Sequence, residues 1–109
     1  MKHEVKKIAN TFGLPTQLTK LREEMGECSD ASRVFQSIVE LNQDPLTMTA
    51  DELCDRATER LHLIEEIADV KLMLDQILYL INGESDCKKM YQFKVERTLH
   101  RIETGYYTK

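Results

Sequence analysis

The residues of this chain whose types and spacing suit chemistry are two short acidic patterns, Glu23-Glu24-Met25-Gly26-Glu27 and Glu65-Glu66-Ile67-Ala68-Asp69. On a helix, Glu24 and Glu27 project about 60° apart, inside the arc swept by Leu21, Cys28, Ala31, Val34, Phe35 and Ile38. Glu66 and Asp69 repeat the i, i+3 spacing and share a side with Met73, Ile77 and Leu80. Each helix is therefore expected to turn two acids inward. An unpaired buried carboxylate costs on the order of several kcal/mol, and four close together also repel one another. A positive partner is expected among them. Four hard oxygen donors with no cysteine in the set favour Mg²⁺ or Mn²⁺ over Zn²⁺, and a magnesium site implies phosphate nearby.

The elements that must position these acids read as helices. His3 to about Thr11 is a weakly signalled first helix, stopped by Gly13 before Pro15 opens the next at a favoured first-turn position. From Thr16 to about Asn42, Leu18, Leu21, Met25, Cys28, Phe35, Ile38 and Val39 recur at helical spacing until Asn42-Gln43-Asp44-Pro45 breaks the run. Thr49-Ala50-Asp51-Glu52 is a capping box, from which a long helix runs to Ile81, with a bend admissible between Arg56 and Leu61. Asn82-Gly83 supplies a left-handed stop. Ser85 or Asp86 caps a last helix through Ile102, with the apolar stripe Tyr91, Val95, Leu99 and Ile102, ended by Gly105. Short connections predict antiparallel neighbours.

Composition agrees. With 109 residues the chain suits one small domain, and 4 Gly, 2 Pro, no Trp and 31% charged residues fit helices around an aliphatic core. The net charge of -4 provides no basic field for duplex nucleic acid. Cys28, Cys54 and Cys87 are odd in number and lack CxxC spacing, so free thiols and a cytoplasmic location are expected. No secretory signal is expected at the N-terminus, and no apolar run approaches the ~20 residues needed to span a membrane. There is no GxxxxGKS/T, no GxGxxG and no recognisable Ser/His/Asp constellation, so a P-loop is excluded.

EExxE on one helix followed by ExxD on the next resembles the MazG-like, all-α nucleoside triphosphate pyrophosphohydrolases. The surrounding text, "QLTKLREEMGE" and "LIEEIADVKLMLDQI", looks like the small phage-type members, and "YQFKVERTLHRIETGYY" is similar to the closing helix of that family. The resemblance spans Leu14 to about Tyr107, apart from a long inter-motif segment at about 43–61. It implies a single domain over 1–109 and a small antiparallel helical bundle of the all-α NTP pyrophosphatase type. Oligomerisation, as a homodimer or a dimer of dimers, would complete the bundle. Glu24, Glu27, Glu66 and Asp69 would hold Mg²⁺, with Mn²⁺ as a substitute. Glu23 would orient or deprotonate the water attacking the α-phosphorus, converting a (d)NTP to the monophosphate and pyrophosphate as nucleotide-pool housekeeping.

Lys94, Arg97 and Arg101 form a basic ridge on the last helix, separate from its apolar stripe and suited to a triphosphate. The family's asparagine two residues before this lysine is Gln92 here. His62, one turn before Glu66, is a further possible ligand. Tyr79, Tyr91 and Phe35 could stack on a base, but aromatics at helical spacing more often pack a core or a subunit interface, and none is assigned. The alternatives are a dedicated dUTP or phosphoribosyl-ATP pyrophosphatase, or a non-catalytic helical dimer that binds nucleotide or protein as a regulator.

Overall fold

The structure is a computed structural model describing residues 2–41 and 44–108. Among these residues it is all-helical: α1 (Lys2–Phe12), α2 (Leu14–Leu41), a single 3₁₀ turn (Pro45–Thr47), α3 (Ala50–Leu80) and α4 (Glu84–Glu103). Gly13 alone separates α1 from α2. Its φ of +81° is left-handed backbone that a side chain disfavours. There its N–H bonds the Ala9 carbonyl at 2.8 Å while its own carbonyl accepts from Gln17 at 3.1 Å. The expected breaker after α2 begins with Asn42 and Gln43, which lie outside the described residues. Asp44 follows, and its Oδ1 accepts from the Leu46 N–H at 3.0 Å to open the 3₁₀ turn.

The cap expected at Thr49 is present, its hydroxyl accepting from the Glu52 N–H at 3.1 Å. α3 then runs without interruption through 56–61. It ends in a Schellman turn in which Asn82 takes the left-handed conformation at φ 55°. The Gly83 N–H reaches the Leu78 carbonyl at 2.8 Å, and the Asn82 N–H reaches that of Tyr79 at 3.1 Å. One local expectation is corrected: neither Ser85 nor Asp86 caps α4. Gly83 occupies the cap position and makes no side-chain bond, because the Schellman turn leads directly into the next helix.

α2 and α3 pack antiparallel and form the body of the molecule. Gln17 meets Gln76 while Glu24 meets Glu66, so ascent along one helix is descent along the other. The buried residues of α2 are Gln17, Glu24 and Ala31, spaced by seven. Such a line is a narrow coiled-coil-like seam rather than a broad apolar face. It places Glu24 midway along the contact. Across it α3 buries Met73, Gln76 and Ile77, and α1 adds Ala9. α1 lies against α3, where Asn10 donates to the Tyr79 hydroxyl at 3.0 Å and the Lys6 ammonium stands 5.5 Å from the ring centroid.

α4 touches α3 sparingly and buries none of its own residues. Tyr91, Val95, Leu99 and Ile102 leave the expected stripe open. The radius of gyration is 18.3 Å, against roughly 13 Å for a compact chain of this length. No helix among the described residues is long and apolar enough to cross a membrane. All three cysteines are free.

The interior amide pair ties the two main helices. Gln17 Nε2 donates to Gln76 Oε1 at 2.6 Å, with the residues 5% and 1% exposed. Gln76→Leu is expected to cost about 1–3 kcal/mol by leaving the Gln17 amide unpaired. Gln17→Leu combined with Gln76→Leu should recover most of that loss. Urea unfolding of the two single variants and the double variant checks this coupling.

Candidate metal centre

Glu24 from α2 and Glu66 and Asp69 from α3 converge, each offering a carboxylate oxygen, with these atoms all within 4.8 Å of one another. Glu24 is buried, Glu66 half-buried and Asp69 exposed, so the set grades from the helix seam to solvent. Seam geometry explains the order. Glu24 lies on the seven-residue line of α2, Glu66 faces it, and Asp69 sits one turn further along at the edge.

Glu24 Oε2 and Glu66 Oε2 are both buried and without a hydrogen-bond partner. Buried carboxylate oxygens are normally satisfied, and two unpaired ones in a single cluster leave negative charge that a cation would offset. The donors are all carboxylates, which fits Mg²⁺ or Mn²⁺ and does not favour zinc. Each acid's other oxygen is occupied. Lys20 Nζ lies 3.1 Å from Glu24 Oε1, and His62 Nε2 lies 3.4 Å from Glu66 Oε1. The Lys20 ammonium is held above its ordinary pKa, first by its hydrogen bond to Glu24 and then by that residue's charge.

The other sequence-derived site residues are placed differently. Glu27 is exposed and stands outside the three-residue set. The charge of Glu24 raises its pKa most, followed by desolvation and the charge of Glu66, so it remains within the electrostatic reach of the cluster. Only one acid on each helix is substantially buried, whereas the helical arc suggested two, because the seam is narrower than that arc. Glu23 is exposed beside Lys20, with Oε2 3.6 Å from its ammonium.

Lys94, Arg97 and Arg101 are not brought to the acids within one chain. Arg97 lies over Phe93, 5.8 Å from the ring centroid, and Arg101 over Tyr106 at 4.7 Å. Lys94 borders the open apolar groove of α4. His62 contacts Glu66 but is not part of the converging set.

Beside the acids lies a cleft of about 350 Å³. Glu24 and Asp69 share its wall with Phe12, Gln17, Lys20 and Gln76, among others from α1, α2 and α3. Sequence reasoning missed Lys20 and this cleft. The i, i+4 spacing of Lys20 and Glu24 was a readable signal for the former. The contribution of α1 depends on how it folds back across α3, which no local pattern encodes.

Comparison with family models, with curated proteins and with solved structures returns no match.

The raised pKa of Glu27 has a definite sign for stability. An acid whose folded pKa exceeds its unfolded value destabilises the fold above that pKa and ceases to do so as pH falls through it. In metal-free protein, Glu27→Gln should therefore raise Tm at neutral pH, and the gain should shrink as the pH enters the ordinary carboxylate range. Thermal melts of both proteins in chelator across pH 4–8 measure the difference.

Proposed function

We propose that this chain is a Mg²⁺-dependent nucleoside triphosphate pyrophosphohydrolase, active on a (d)NTP in the cytoplasm as part of nucleotide-pool housekeeping. The observation that carries this reading is the convergence of Glu24, Glu66 and Asp69 from antiparallel helices, with two buried carboxylate oxygens left unpaired. The order EExxE then ExxD, which resembles the MazG-like family, supports the choice of reaction.

In this reading Glu24, Glu66 and Asp69 hold the cation, and Glu27 adds negative charge from the exposed side. A cation held there would supply positive charge to the triphosphate oxygens. Glu23, exposed next to the cluster, takes the proton of a water whose oxygen attacks the α-phosphorus. The α–β bridging bond breaks and pyrophosphate leaves. The neighbouring cleft, with apolar side chains and the Gln17 and Gln76 amides in its wall, offers room for the nucleoside.

The bare stripe on α4 and the large radius of gyration favour assembly as a homodimer or a dimer of dimers. Lys94, Arg97 and Arg101 would serve the phosphates in the assembled form.

The deciding experiment is pyrophosphate release from a panel of canonical and modified dNTPs and NTPs with Mg²⁺, with Mn²⁺ and with chelator. Metal-dependent release of pyrophosphate and monophosphate is expected, and silence across the panel overturns the enzyme reading. Glu66→Gln and Asp69→Asn should each abolish turnover while leaving helical content unchanged, as read by circular dichroism. Lys94→Ala or Arg97→Ala should raise KM with kcat little changed, and unaltered kinetics would remove the ridge from the mechanism.

A further inference from the structure

On both main helices the buried acid is engaged in the same way. Lys20 stands one turn before Glu24 and meets its Oε1 at 3.1 Å, while His62 stands one turn before Glu66 and meets its Oε1 at 3.4 Å. In each case Oε2 is the oxygen left buried and unpaired. A second acid on the same helix lies near each base. Lys20 Nζ is 3.6 Å from Glu23 Oε2, and His62 Nδ1 is 3.7 Å from Glu59 Oε2. Each base thus lies between a more exposed acid and the inward carboxylate of its own helix.

An ordinary i, i+4 pair joins two solvated side chains and steadies a helix slightly. These pairs are lopsided. The bases are about half-exposed, at 49% and 53% of their side chains, whereas Glu24 and Glu66 are 10% and 14% exposed. A carboxylate held by one oxygen from outside loses its freedom to rotate and presents the other oxygen in a fixed direction. Partners of this kind, just behind metal ligands, set ligand orientation and affinity.

We propose that Lys20 and His62 are positioning residues for the metal centre, gripping Oε1 of Glu24 and of Glu66 so that both Oε2 atoms are held ready for one divalent cation. The inference rests on the metal-centre reading above and assigns neither residue to the cation itself. It also sets orientation against charge. If Lys20 were merely a counter-ion competing for Glu24, its removal would tighten cation binding. If it positions Glu24, its removal weakens binding despite the added negative charge.

The test is Mn²⁺ binding to the nucleotide-free protein, followed by electron paramagnetic resonance of the free ion at one fixed pH. Lys20→Met, which keeps the aliphatic stem, and His62→Ala should each weaken Mn²⁺ binding about tenfold. Lys20→Arg and His62→Gln, which return a donor to each carboxylate, should restore it. Tm should stay close to that of the wild type in all four variants, separating positioning from general structural support.

Binding by Lys20→Met and His62→Ala that is unchanged or tighter, while Glu66→Gln abolishes it, overturns the positioning role and leaves the metal centre standing. Absence of Mn²⁺ binding by the wild type overturns the centre and the positioning role together.

Discussion

The structure depends on one constraint: the antiparallel contact of α2 and α3 leaves no room for Glu24 to leave the seam. Its neighbours along the buried line, Gln17 and Ala31, lie two turns away on either side. Gln17 is fastened to Gln76 on the opposite helix. With the helices tied there, Glu24 must face Glu66 and Asp69, and the electrostatics of the site follow from that confrontation. The charge of Glu24, followed by desolvation and the charge of Glu66, also lifts the pKa of Glu27. A carboxylate at a position where a coiled coil would place an aliphatic side chain is a local cost to the fold, of the kind associated with function.

The molecule meets that cost by division. One oxygen of each buried acid is matched by a base on its own helix, and the other stays unmatched. A lysine or arginine inside the seam would have filled the space between the acids. Bases placed one turn away on the solvent side leave that space open. The gradient of exposure from Glu24 to Asp69 follows the seam, whose α3 edge beside the cleft is the wet side.

Much of this is legible in the sequence. The helices, the Gly13 stop, the Thr49 cap and the left-handed ending after α3 follow from local chemistry and appear as expected. The pairing of Glu24 with Glu66 and Asp69 was also readable, because antiparallel helices can bring i, i+3 acid pairs within their apolar arcs face to face. The depth of burial was not. A helical arc treats Glu24 and Glu27 alike, yet the seven-residue spacing of Gln17, Glu24 and Ala31 selects a narrower line that excludes Glu27. The cap of α4 failed for a related reason. Ser85 and Asp86 are good capping residues, but the Schellman turn at Asn82 starts the helix before either can act.

α4 raises the remaining structural question, and its own residues frame the answer. The helix carries a basic ridge beside an apolar stripe; within one chain the stripe stays open, while Arg97 and Arg101 of the ridge lie over Phe93 and Tyr106. A helix of 20 residues with no buried side chain gains little from the body it is attached to. A surface that covered the stripe would add the burial that one chain does not supply. Because the ridge is fixed relative to the stripe by helical geometry, whatever covers Tyr91, Val95 and Leu99 also decides where Lys94, Arg97 and Arg101 point. Assembly and phosphate binding would then be coupled through one helix. The acids of α2 and α3 meet within a single chain, whereas the cations of α4 would need a neighbour to aim them at the acids.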